Sequence, residues 1–143
     1  MALIHGTCVA VEGKAVLLRG PSGSGKSDLA LRLIAGGAVL VADDQVEVTA
    51  EEDGLTARAP APIRGLIEVR GVGLVRMPWL AEARLMVVVD LTGRSAVPRL
   101  PDPAEAEIAG ARLPHYRLCA AEASAPEKVR LLLRAQSEDI LCI

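Results

Sequence analysis

From Thr7 to Val11 and from Ala15 to Leu18 the chain is apolar and β-rich, and the polar break between the two runs, Glu12-Gly13-Lys14, puts a glycine where a tight turn needs one. That pattern predicts a hairpin. The period changes in SDLALRLIAGG, residues 27–37, where Leu29, Leu33 and Ile34 share a helical face, Asp28 sits in the first turn and Gly36-Gly37 marks the stop. AVLVADD, residues 38–44, then returns as a buried strand. QVEVTAEEDGLTARA, residues 45–59, alternates polar and apolar on both sides of Asp53-Gly54, which predicts a second hairpin with one wet face. Pro60 and Pro62 make PAPI a rigid connector. GLIEVRGVGLV (65–75) is a further strand candidate and ARLMVVVDL (83–91) a fully buried one, whereas TGRSAVPRLPDPAEAE (92–107) is a polar, proline-bearing excursion. Ser124 and Glu127 have capping-box spacing ahead of Val129, Leu132 and Leu133, so a last helix packs on the sheet.

A hairpin leading into strand, loop, helix and strand departs from the plain alternation of a doubly wound sheet. The fold class is α/β with a mixed, partly antiparallel sheet, and 143 residues suit a single domain over 1–143. With 51% hydrophobic and 24% charged residues the chain is globular, and its core is aliphatic because Trp79 and Tyr116 are its sole aromatics. A net charge of -2 and thirteen scattered arginines give no drive toward nucleic acid or an anionic membrane. The opening segment lacks a basic start and is interrupted at Glu12 and Lys14, so it is neither a signal peptide nor a span, and a cytoplasmic address is expected. Cys8, Cys119 and Cys142 lack metal-ligand spacing and read as reduced thiols, each a small buried hydrophobe.

Chemistry enters at Gly20, Pro21, Ser22, Gly23, Ser24, Gly25, Lys26 and Ser27, which fit G-x-x-x-x-G-K-S, the P-loop pattern. Glycines let successive N–H groups converge on an anion, Lys26 supplies charge for the outer phosphates, Ser27 a hydroxyl for Mg²⁺, and the following helix points its positive end at the ligand. A phosphate loop also needs a carboxylate at the end of a neighbouring strand, and Asp43 and Asp44 stand after VLVA. Adjacent strand residues face opposite ways, so the two share one task only if the strand has already bent. Glu68 and Arg70 are two apart and share a strand face, with Ile67 and Val69 turned to the core; they suit metal and phosphate, or an exposed ion pair. His5 and His115, each without a neighbouring motif, read on their own as surface or turn residues.

Taken together, the segment from His5 to Val48 and the later APIRGLIEVRGVGLV resemble the catalytic domain of the HPr kinase/phosphorylase family. A His-Gly pair, a P-loop after a hairpin, an Asp-Asp pair and a Glu-x-Arg-Gly-x-Gly segment occur in the family's order over roughly the first 75 residues. The resemblance implies a P-loop core of the type shared with phosphoenolpyruvate carboxykinases and an ATP- and Mg²⁺-dependent serine kinase acting on the phosphocarrier HPr. It also implies reverse dephosphorylation and assembly into a homo-oligomer, often a hexamer. Carried over by position, Gly20 to Ser27 bind nucleotide, Lys26 assists transfer, Ser27 and Glu68 hold Mg²⁺, and Asp44 takes the serine proton with Asp43 beside it. His5 and Arg70 join the catalytic group.

The chain departs from the family at three points. Met1 stands four residues before the His-Gly pair, so a separate N-terminal domain is not expected. The family's downstream arginine has only Arg94 and Arg99 as loose counterparts, and LPHYRL stands where a loop ending in Gly-Arg-Asn is expected. Two other readings fit a phosphate loop: a kinase for a small metabolite, with its acceptor pocket inside the chain, and a nucleotide sensor that transfers nothing.

Overall fold

The computed structural model describes residues 1–142. A short opening strand, β1 (Ala2–His5), precedes the hairpin of β2 (Thr7–Val11) and β3 (Lys14–Arg19). Glu12 and Gly13 turn this hairpin at φ 51° and 79°, the left-handed pair that a two-residue loop between twisted strands requires. A glycine-rich loop leads into α1 (Lys26–Ala35), whose buried face is Leu29, Ala30 and Leu33. β4 (Val39–Ala42) returns antiparallel to β2, and β5 (Gln45–Glu51) and β6 (Gly54–Arg58) form the second hairpin. β7 (Leu66–Val69) and β8 (Gly73–Arg76) make a separate two-stranded sheet. β9 (Ala83–Leu91), β10 (Glu105–Ile108), β11 (Ala111–Leu118) and α2 (Ala125–Arg134) complete the chain.

The main sheet is mixed and runs β1-β5-β6-β9-β3-β2-β4, with β11 added to the second half of β9 and β10 to β11. β3, β9 and β11 are parallel, so their C-terminal ends meet at one edge. Alternation along β3 sorts the core into two layers. Val16 and Leu18 pack with α1 and α2 through Leu29, Leu33, Val129 and Leu133. Ala15 and Leu17 face the other way, onto Cys8, Val41, Val48, Leu55 and Leu85. Each such leucine or valine, fully buried, contributes about 1.5–3 kcal/mol, which suffices for a core without aromatic residues.

The mixed α/β fold and both hairpins agree with the sequence pattern, and five local readings need correction. β1 was not expected; four residues gain strand character only by pairing with β5, Ala2 opposite Val48 through His5 opposite Gln45. GLIEVRGVGLV is a hairpin, because Gly71 at φ 86° turns the chain. β7 therefore ends at Val69, and Arg70 lies in the turn instead of sharing a strand face with Glu68. The proline-bearing excursion already contains the start of β10 at Glu105, and LPHYRL is the body of β11, a strand parallel to β9 instead of a loop. Ser124 is the N-cap of α2 yet makes no side-chain capping bond. Of the cysteines, Cys8 is buried as expected, whereas Cys119 is half-buried and Cys142 exposed.

Candidate functional site

The loop Gly20–Gly25 sits at the C-terminal end of β3. Gly23 and Gly25 hold φ 85° and 95°, a region closed to most side chains. A Cβ on Gly25 would stand 2.8 Å from that of Ala120, so the loop presses directly against the turn that follows β11. The first helical bond of α1 runs from Leu29 N–H to Gly25 O (2.9 Å), which leaves the amides of Lys26, Ser27 and Asp28 without intrahelical acceptors. Exposed amides and the helix dipole together favour an anion here. Lys26, largely buried, donates from Nζ to Gly20 O (2.6 Å) and Pro21 O (3.0 Å), holding its charge at the mouth of the loop. Ser24 Oγ is buried in the same loop with no hydrogen-bond partner.

Beside the loop, the two aspartates separate. Asp43 is buried and accepts three bonds: Thr7 Oγ1 to Oδ1 (2.9 Å), Ser27 Oγ to Oδ1 (2.8 Å) and Glu68 N–H to Oδ2 (3.0 Å). One carboxylate thus joins β2, α1 and β7. Asp44 turns outward at φ 72°, a left-handed conformation that aspartate tolerates better than most residues. Its Oδ1 lies 3.5 Å from His5 Nε2, and Gly6 N–H donates to its carbonyl at 3.1 Å. The pairing of β1 with β5 is what brings His5 to Asp44, 39 positions further along a sequence that gives no local hint of it.

The structure therefore gathers Thr7, Ser27, Asp43 and the backbone of Glu68 in direct contact, with Lys26 next to Ser27 on α1 and His5 with Asp44 beside Asp43. The Glu68 side chain is exposed. Arg70, Arg94 and Arg99 are exposed and make no hydrogen bond or ion pair from their side chains among the described residues. Thr7 was missed, although it opens the strand that follows the His-Gly pair.

A second polar cluster was also missed. Arg19 donates from Nε to Asp90 Oδ1 (2.8 Å) and from a terminal nitrogen to Oδ2 (3.1 Å), and His115 Nε2 lies 2.7 Å from Oδ2. His115 is accordingly a half-buried strand residue, not the surface or turn residue expected. Burial is the largest influence on Asp90 and pushes its pKa up, but the bonds and charges of Arg19 and His115 together outweigh it and hold the carboxyl below its ordinary value. The cluster ties the root of the loop to β9 and β11.

Among the described residues no group of three histidine, cysteine, aspartate or glutamate side chains is assembled as a metal cage. Oxygen donors from Ser27 and Asp43, 2.8 Å apart and beside an anion-favouring loop, nevertheless suit Mg²⁺, which takes one or two protein ligands and completes its shell with phosphate and water.

Residues 1–97 match the family model for the HPr serine kinase C-terminal domain. The chain belongs to the HPr serine kinase family. It is 46% identical over 96 residues to an HPr kinase/phosphorylase of Geobacillus kaustophilus, an alignment covering 62% of this chain and 31% of that protein. It is also 51% identical over 72 residues to one of Caldicellulosiruptor bescii, covering 50% and 23%. The matched part of this HPr serine kinase relative thus spans about a third or less of those proteins' length. The fold resembles that of an Hpr(Ser) kinase/phosphatase from Coxiella burnetii, with TM-score 0.83, 23% identity, and coverage of 94% of this chain and 90% of that one. No helix among the described residues is long and apolar enough to cross a membrane.

Proposed function

We propose that this chain is a cytoplasmic serine kinase that transfers the γ-phosphate of ATP to HPr, with Gly20–Ser27 working as a P-loop in a core of the phosphoenolpyruvate-carboxykinase type. The observation that carries the reading is the Ser27–Asp43 contact at the foot of a glycine-rich loop, with Asp44 and His5 opening outward next to it. When bound, Mg²⁺ would neutralise developing phosphate charge, held by Ser27 and Glu68 with Asp43 in reach. Lys26 leaves the loop carbonyls for the outer phosphate oxygens, a short movement within one turn of chain. Asp44 accepts the proton of the serine hydroxyl, and His5 orients that carboxylate. Arg70, exposed in the turn two residues after Glu68, would supply positive charge to the transferred phosphate.

The exposure of Asp44 favours a protein acceptor over a small metabolite, because its side chain is 73% accessible and can meet a serine presented on another molecule. Catalysis then rests on alignment and charge neutralisation. A homo-oligomer, hexameric as the resemblance implies, belongs to this reading and is checked by light scattering.

The decisive experiment incubates the purified protein with labelled ATP, Mg²⁺ and HPr. Label should appear on an HPr seryl group, and Asp44→Asn should abolish it while ATP affinity by calorimetry stays within about twofold, since that carboxylate acts on the acceptor. A wild-type protein that binds ATP and leaves HPr unlabelled would overturn the kinase reading in favour of a nucleotide sensor. Release of phosphate from phosphoseryl-HPr tests the reverse reaction.

A further inference from the structure

Arg19, Asp90 and His115 stand outside the phosphate site, at the ends of three parallel strands. Leu18, Val89 and Leu91 face the helices, so Arg19 and Asp90, one step along, point to the other face of the sheet. Asp90 has an arginine on either hand: Arg19 opposite it in the β3–β9 register and Arg117 in the β9–β11 register. Its carboxylate takes only the first, through both oxygens at 2.8 and 3.1 Å. Arg117 is exposed and makes no hydrogen bond or ion pair from its side chain among the described residues. His115 meets Oδ2 from β11 at 2.7 Å. A guanidinium met by both carboxylate oxygens is fixed in direction as well as distance. Desolvation offsets much of the attraction in a half-buried pair, whereas its geometry is kept in full.

That geometry is placed where the phosphate loop begins. Arg19 is the last residue of β3 and adjoins Gly20. A Cβ on Gly20 would stand 3.2 Å from Leu91 O, so the chain leaves the sheet directly against the residue that follows Asp90. Within the loop, Ser24 N–H donates to Pro21 O (3.0 Å), and Lys26 Nζ donates to Gly20 O (2.6 Å) and Pro21 O (3.0 Å). Phosphate binding draws Lys26 away from those two carbonyls. The start of the loop then loses two bonds just when its amides must stay gathered round an anion, and the Arg19–Asp90 pair is untouched by the exchange.

We propose that Asp90 is a positioning residue for phosphate binding: through Arg19 it holds the start of the glycine-rich loop in place once Lys26 has turned to the phosphates. The inference rests on the phosphate-binding reading above. It assigns part of the affinity to a pair that touches no ligand, on the sheet face turned away from α1.

Calorimetry with magnesium tripolyphosphate and with Mg-ADP, well below the melting temperature, compares wild type, Arg19→Gln, Asp90→Asn and the double variant. Each single change should weaken both ligands about tenfold, and the double variant should bind no worse than the weaker single, because the two side chains act as one pair. Val48→Ala, in the core layer beneath β5, should lower the melting temperature yet leave both affinities within about twofold, which separates positioning from loss of stability. In the HPr assay Asp90→Asn should raise the KM for ATP by a similar factor with kcat within about twofold, since the acceptor groups are carried by other strands. Asp90→Asn binding within twofold of wild type, single effects that multiply in the double variant, an equal loss in Val48→Ala, or a fall in kcat with KM unchanged each overturns the positioning role alone. A wild-type protein that binds neither ligand removes the phosphate reading and this one with it.

Discussion

Replacing Asp43 with alanine tests the junction on which the site is built. The carboxylate accepts from Thr7 Oγ1, Ser27 Oγ and Glu68 N–H at 2.8–3.0 Å, so its removal leaves three donors without their acceptor. A hydrogen bond to a charged group is worth about 1.5–3 kcal/mol net, but Ser27 is only half-buried and its hydroxyl can turn to water, and the three losses share one cavity. The expected total is therefore about 3 kcal/mol. For a chain of 143 residues the unfolding entropy near the midpoint is about 0.3 kcal/mol/K, so Tm should fall by about 10 °C. Thr7→Val removes a single donor to that charge and should cost about 1.5 kcal/mol, and combined with Asp43→Ala it should add almost nothing, because its partner has already gone. Urea denaturation of the four species completes the cycle. Asp44→Asn is the control: an exposed side chain, with asparagine equally tolerant of the left-handed backbone, should stay within about 0.5 kcal/mol of wild type. An Asp43→Ala protein as stable as the Asp44 variant would mean that the carboxylate joins nothing, and the reasoning would fail.

Three further outcomes follow from other contacts. In native protein at about pH 8 a thiol reagent should titrate Cys119 and Cys142 but not Cys8, whose pKa is raised to about 12 by burial, and all three should react in denaturant. Gly25→Ala should destabilise by about 2 kcal/mol, through φ 95° and a 2.8 Å approach to Ala120, whereas Gly23→Ala, at φ 85° with open space around it, should cost about 1 kcal/mol; equal losses in thermal melts would refute the contact. Because the folded pKa of Asp90 lies below its ordinary 3.8, its stabilisation is complete above the unfolded pKa and is lost as pH falls through the folded one. The penalty of Asp90→Asn, measured in urea at about pH 6 and again at about pH 3, should therefore shrink at the lower value, and a constant penalty would show that Arg19 and His115 do not act on its charge.

What could be read before folding is what depends on consecutive residues. The loop pattern of Gly20 to Ser27 needs only eight adjacent positions between an apolar run and an amphipathic one, and the Glu12-Gly13 turn needs only its two residues. The Asp-Asp pair was visible as chemistry, but its division of labour was not. That division is made by a left-handed Asp44, which sends one carboxylate into the interior and the other to solvent. Nothing local announces this turn, since it is held from outside by Gly6 N–H and by β1 lying on β5. Arg19 and Asp90 are 71 positions apart and Asp90 and His115 are 25 apart, joined only because three parallel strands end side by side. The Glu68–Arg70 error has a different origin, because its evidence was in view: Gly71 and Gly73, two residues apart, are a turn signal, and a turn there ends the strand before Arg70. The residues that distance hides are also those that set the surroundings of the site. β4 and β2 carry Asp43 and Asp44 to one side of the loop, while β9 and β11 carry Asp90 and His115 to the other, so pairing order decides which polar groups flank the glycine-rich loop on each side.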